Sequence, residues 1–242
     1  MLTHHNIQFT NATKLNDPFD CIESLIDFSN IPDEYQQFDR EWLCDIYKTK
    51  GENLRKEIWL CSLSKVYDQL LIWSYYNQHK GICIGLNMEK IDKYLKNIPC
   101  SNIIGYQKYE VQYKNTREKP DYFNSEQNPY IYQLCTKAKA WEHEQEVRLI
   151  LDNPSRIIND YVPEHVEVRI EDNIPYHHYE DIRFIPSIGE ECFESLYLGV
   201  SILPQDKEKI IDAATHLNSD IKIYQMEAEA NTFQLCPKLI NG

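Results

Sequence analysis

Residues 141–151 read Trp141-Glu142-His143-Glu144-Gln145-Glu146-Val147-Arg148-Leu149-Ile150-Leu151. A strand sends successive side chains to opposite faces, so Val147, Leu149 and Leu151 share one face and Glu146, Arg148 and Ile150 the other. The same alternation puts Glu144 in line with Glu146 and Arg148 at the strand entrance. Three charges in line beside a buried strand are costly unless they are solvated or paired. Two readings follow. One is a solvated Glu–Arg ladder. The other is a carboxylate held to stabilise positive charge on a sugar, with a second carboxylate directing an acceptor and Lys137 and Lys139 available for anion contacts.

Working outward from that strand, Pro129 suits the first turn of a helix running to about Trp141. Residues 115–127 read as a long polar loop, with a mobile character, after a weakly alternating strand over 103–114. Ile82-Cys83-Ile84-Gly85-Leu86 is a continuous apolar run, an interior strand, and Asn87 caps a helix through Leu95. The spacing of 66, 67, 70, 71 and 73 predicts a helix over Val66–Tyr76, after a short buried strand at 58–62. Tyr35, Phe38, Trp42 and Ile46 predict a helix over 33–50, started by Asp33 and ended by Gly51. Trp73, Tyr76 and Trp141 are expected to be mostly core. Short strands near 166–170, 181–185, 195–200, 221–226 and 232–236, and a helix near 205–217, complete the chain. Helices and strands without strict alternation predict one α+β domain over 1–242, a mixed, mainly antiparallel sheet with flanking helices.

The 242 residues are 42% apolar and 26% charged, a globular balance. A formal charge of −13 opposes general nucleic-acid coating and anionic membranes. No GxGxxG or P-loop motif occurs, and no apolar run approaches membrane-spanning length. The 8 cysteines include no CxxC pair, and the first residues do not read as a signal peptide, so the expectation is a cytoplasmic protein with reduced thiols. No HExxH, HxH or calcium-loop pattern predicts a metal site.

Three other places carry candidate chemistry. Asn16-Asp17-Pro18-Phe19-Asp20 is turn chemistry, read either as a structural turn capping the next segment or as a carboxylate-bearing pocket rim. Ser62 and Ser64 follow a strand, where serines either cap the strand end or line a site. Tyr75, His79 and Lys80 surround the turn before the apolar strand, a place that suits ligand and phosphate contacts as well as plain solvation.

These blocks, in this order, resemble a bacterial domain-of-unknown-function family. The matching residues are Asn16 to Asp20, Cys61-Ser62-Leu63, Trp73 through Tyr76 to Gly81, Ile84-Gly85-Leu86, and Lys137, Trp141, Glu144, Glu146 and Arg148. Ser195-Leu196-Tyr197-Leu198-Gly199 is similar to the family's closing strand. More remotely, the pattern resembles ADP-ribosyltransferases. That resemblance implies NAD as cofactor, Glu146 as the carboxylate gripping the nicotinamide ribose, Glu144 as the acceptor-orienting partner, and Ser62 or Ser64 as the middle-strand serine. With NAD as the ligand, Tyr75, His79 and Lys80, placed by their helix and turn, and Arg148 on the strand are expected to contact it, and a toxin or phage-defence role is expected. The family's opening strand and helix are expected to be missing here. Its partner would be a small nucleotide or a protein acceptor, with self-association left open. A catalytically inert binding module on the same scaffold is the alternative. A metal-dependent nuclease using Asp17, Asp20 and Glu144 ranks last, because no clustered Lys/Arg groove accompanies the carboxylates.

Overall fold

The computed structural model describes residues 1–35, 37–98, 105–126, 128–152, 166–169 and 183–241. Its elements in chain order are β1 (Thr10–Asn11), α1 (Arg40–Lys56), β2 (Ile58–Ser64), α2 (Leu70–Asn77), β3 (Ile82–Leu86), α3 (Met88–Leu95), β4 (Gln107–Glu110) and β5 (Gln112–Lys114). There follow α4 (Pro129–Cys135), β6 (Thr136–Ala138), β7 (Glu146–Asp152), β8 (Val166–Arg169), β9 (Arg183–Pro186), β10 (Phe193–Leu198), α5 (Pro204–Leu217), β11 (Lys222–Ala228) and β12 (Leu235–Asn241).

One sheet has the order β1-β2-β7-β4 and is antiparallel throughout. A second has the order β12-β11-β10-β3, with one parallel pair, β10–β11, joined across α5. Two small pairs, β5–β6 and β8–β9, stand beside them. The fold is α+β with mainly antiparallel sheets.

The β2–β7 pair separates two of the cores. Trp59 and Cys61 on β2, with Leu149 and Leu151 on β7, face a core shared with β10, β11, α3 and α5. Ile58, Leu60 and Ile150 face a second core with Leu54 of α1 and Leu134 and Cys135 of α4. Both faces are buried, which is why these strands read as nearly continuous apolar runs. On the second face the apolar pattern stops abruptly. Ser62 lies opposite Arg148 and Ser64 opposite Glu146, so the sheet turns polar where the second core ends.

Several expected boundaries hold, among them Ile82–Leu86 and the helix from Met88 to Leu95, where the Asn87 side chain accepts from the Lys90 amide at 2.9 Å. Others shift. Asp39, not Asp33, caps α1, accepting from the Trp42 amide at 2.8 Å. The buried stripe of α1 is Leu43, Gly51 and Leu54, while Phe38 and Trp42 are exposed. Gly51 therefore lies inside the helix against Phe28 and ends nothing. The helix from Pro129 stops at Cys135, because the chain then pairs β6 with β5 and enters a 3-10 turn over Lys139–Glu144.

The loop after β5 is held at its described positions. The Tyr122 amide donates to the Asp27 carbonyl at 2.8 Å and the Asp27 amide to the Pro120 carbonyl at 3.0 Å, while Tyr122 and Phe123 pack against Tyr47. At the start of the chain, Phe9 pairs with Phe184 of β9 before Thr10 and Asn11 cross to pair with Leu60 and Trp59. Positions 99–104, 153–165 and 170–182 include parts of the expected strands near 103–114, 166–170 and 181–185, and lie outside the described residues.

Candidate functional site

At the polar end of the β2–β7 face lies a cavity of about 540 Å³. Asn16, Asp20, Ser62, Ser64, Glu144, Glu146 and Arg148 line it, so elements distant in sequence converge there. Leu15, Leu60, Leu63 and Ile72 supply an apolar side. Its size and mixed lining suit a small-molecule site.

Its floor is a buried charge network. Arg148, 1% exposed, donates from Nε to Glu146 Oε1 at 2.7 Å. Its Nη1 donates to Asp20 Oδ1 at 2.8 Å and to the Leu134 carbonyl at 2.6 Å, and its Nη2 to Asp20 Oδ2 at 2.6 Å. The planar guanidinium fork fits this side-on grip of a carboxylate. Lys137 bridges the two glutamates, with Nζ 2.5 Å from Glu144 Oε2 and 3.1 Å from Glu146 Oε2, and lies over the Trp141 ring. The Tyr76 hydroxyl donates to Glu144 Oε1 at 2.6 Å, and the Glu146 amide donates to the Tyr113 hydroxyl at 2.8 Å.

A surface Glu–Arg ladder is thereby replaced by a buried lattice. Glu146 is 4% exposed and Glu144 6%. Glu144 is not on the strand: it ends the 3-10 turn, and Gln145 at φ 45° kinks the chain, so both carboxylates meet Lys137. Burial alone would push the Glu146 carboxyl up. The charge and hydrogen bond of Arg148, with help from Lys137 and the Ser62 hydroxyl, outweigh it and hold the group at about 2. Lys137 is held above its ordinary value, since the two glutamates outweigh its burial. Burial, then the bond to Glu144, raises Tyr76 to about 12. Burial, then the charge of Glu146, raises the Cys61 thiol to about 12, so it stays protonated at neutral pH.

Donor arithmetic decides what the floor offers a ligand. The N–H groups of Arg148 already point at Asp20, Glu146 and the Leu134 carbonyl, and Lys137 is taken by both glutamates and the Trp141 face. Each carboxylate oxygen carries two lone pairs, so Glu144 keeps accepting capacity beyond its bonds to Tyr76 and Lys137. The floor offers acceptors. Arg148 orients carboxylates and has no N–H left for a phosphate, and Lys139 pairs with Glu142 on the surface.

Other candidates lie elsewhere. Asp17 forms a turn, accepting from the Phe19 amide at 2.9 Å, and does not line the cavity. Tyr75, 66% exposed, points away with its ring edge on His143. His79 and Lys80 do not line the cavity either: Gln78 and His79 both take positive φ and turn the chain into β3, and His79 meets the Ser74 hydroxyl at 2.9 Å. Trp73 is core, but Trp141 is half-buried and Tyr76 is 62% exposed, set at the cavity mouth by its bond to Glu144. Tyr76 and Lys137 are thus site residues whose aromatic and anion-contact readings concealed their part. Lys137 reaches the glutamates only through the kink at Gln145, so its spacing in sequence carried no signal. Among the described residues no group of three or more His, Cys, Asp and Glu side chains is arranged to hold a metal ion, and both Asp20 oxygens are engaged by Arg148.

A family described as "Protein of unknown function (DUF2971)" matches residues 72–149. That segment supplies Tyr76, Lys137, Glu144, Glu146 and Arg148, and leaves Asp20 and Ser62 outside it. No curated protein and no solved structure matches the chain.

Proposed function

We propose that the cavity binds a ribosyl donor such as NAD and that Glu146 assists cleavage of its nicotinamide–ribose bond, in the manner of an ADP-ribosyltransferase. The observation that carries this reading is a strand-borne carboxylate kept ionised, with a value of about 2, at the floor of a cavity that presents acceptors. The donor groups of a nicotinamide riboside, its ribose hydroxyls and carboxamide, match those acceptors. Leu60, Leu63 and Ile72 offer apolar contact to a planar ring. The diphosphate would lie toward the rim, where Lys14 lines the mouth, because Arg148 and Lys137 face inward.

NAD supplies an activated C–N bond whose departing nicotinamide leaves positive charge on the ribose. Glu146, fixed by Arg148 and Ser62, lies ready to stabilise that charge without reorganising. Glu144, oriented by Tyr76 and Lys137, accepts the proton of the attacking water or acceptor hydroxyl. Arg148 and Asp20 are positioning residues that hold the floor in place.

Nicotinamide release from NAD, followed by chromatography, tests the proposal. Glu146→Gln is expected to lower the rate by about 100-fold or more. Glu144→Gln should lower transfer more than NAD binding. A second reading, an inert binding module, is favoured by one observation: each carboxylate of the floor, Asp20, Glu144 and Glu146, is already paired with Lys137 or Arg148. NAD binding with no nicotinamide release selects it.

A further inference from the structure

The edge of β2 leads to a different ligand class. All seven residues of β2 pair with β7 on one side. On the other, β1 pairs only with Leu60 and Trp59, because the preceding residues cross over to β9. Among the described residues no strand pairs with the outer edge of Cys61-Ser62-Leu63-Ser64. Exposed edges are normally blunted by charge, proline or a bulge, and this one carries none of them. Ser62 and Ser64 are exposed.

Two cavities meet at this edge. The first is the carboxylate cavity, on the face bearing Ser62 and Ser64. The second, of about 640 Å³, shares Gln8, Cys61, Ser62 and Leu63 with it. Its further walls include Ile82, Ile84 and Leu86, on the core face to which Cys61 and Leu63 belong, together with Ile185 and the polar His4 and Asn6. The first cavity alone offers carboxylate acceptors, at its floor, and the second offers the β3 aliphatic side chains, beside His4 and Asn6, on the opposite face of the strand.

We propose that an extended peptide adds to this edge as a further strand, sending a cationic side chain into the carboxylate cavity and its sequence neighbour, an apolar one, into the aliphatic cavity. Alternation along a strand delivers neighbouring side chains to opposite faces, as the two cavities require. The cationic preference follows from the donor arithmetic of the floor, and the chain's charge of −13 favours such a partner at long range. The proposal does not depend on Glu146 being catalytic.

Fluorescence anisotropy with a capped, labelled hexapeptide of alternating Arg and Ile tests it in the absence of NAD. Two N-methylated versions decide the geometry. Methylation of the amides that face β2 should weaken binding about tenfold or more, while methylation of the alternate, outward amides should be tolerated. A sorted peptide, three Arg followed by three Ile, keeps the charge and loses the alternation, and should also bind about tenfold more weakly. The protein is unaltered in these comparisons, so misfolding cannot imitate the result. Ile84→Asp should weaken the alternating peptide, and bound peptide should slow exchange at the Ser62 and Ser64 amides, which face away from β7, and leave those of Cys61 and Leu63, already directed at β7, unchanged. Equal binding of both methylated isomers, sorted binding as tight as alternating, or no binding at about millimolar peptide overturns the proposal.

Discussion

Replacing Arg148 by Met keeps an unbranched side chain of similar length but removes the guanidinium from six acceptor atoms: both Asp20 oxygens, both Glu146 oxygens, the Leu134 carbonyl and the Cys21 sulfur. Asp20 and Glu146 are 3% and 4% exposed, so water from the cavity can replace only a small part of what the guanidinium supplies. Breaking a buried pair from one side costs about 3–5 kcal/mol, against about 0–1 kcal/mol for an exposed pair. A typical domain has about 5–15 kcal/mol in total, so the loss should be plain in chemical denaturation followed by tryptophan fluorescence. Its pH dependence has a definite sign. Without Arg148, only Lys137 and the Ser62 hydroxyl still oppose burial, so the Glu146 carboxyl rises from its present value, and protonation relieves part of the lost pairing. The deficit should therefore be larger at pH 7 than near pH 4.5. A double variant with Asp20→Asn should lose less than the sum of the singles, because both substitutions break one contact. A loss below about 1 kcal/mol at pH 7, or strict additivity, would refute a floor held by Arg148.

Glu146 gives wild-type stability an acid limb. Its folded value of about 2 lies below the ordinary 4.5, so its contribution is complete above 4.5 and disappears as pH falls toward 2; a pH titration of unfolding free energy should show a loss on the order of 3 kcal/mol in that window. Trp73→Ala should cost about 3–5 kcal/mol by denaturation, since its buried ring packs with Met226 and Leu235 and its indole donates to the Tyr67 carbonyl at 2.7 Å. Gly199→Ala should cost about 1–3 kcal/mol, because the new Cβ falls 2.2 Å from the His79 carbonyl oxygen, a backbone atom that must shift.

Much of the scaffold was legible because the signals were local. Asn87 before Met88–Leu95 and the apolar run Ile82–Leu86 declared their elements, and the alternation over 146–151 declared the faces of β7. The site was legible only in part. Glu146 and Arg148 announced themselves as charges on a buried strand, but Asp20, 128 residues from Arg148, reaches it only through the fold. Lys137 meets the glutamates because Gln145 takes a left-handed conformation, which no alternation rule anticipates. Tyr76 shared a predicted helix face with Trp73 and so read as core, although its hydroxyl is taken by Glu144 at the mouth. In α1, Gly51 resembled a stop signal, yet it lies inside the helix beside the Phe28 ring, where even a Cβ would make only ordinary contact.

The central claim, a ribosyl-donor site floored by Glu146, is tested most directly by a crystal structure of the protein with NAD bound. The account predicts the nicotinamide-bearing ribose in this cavity, with a hydroxyl within about 2.6–3.2 Å of the Glu146 carboxylate and Leu60, Leu63 or Ile72 against the ring. NAD bound elsewhere, or a cavity left without nucleotide at saturating concentration, would contradict it.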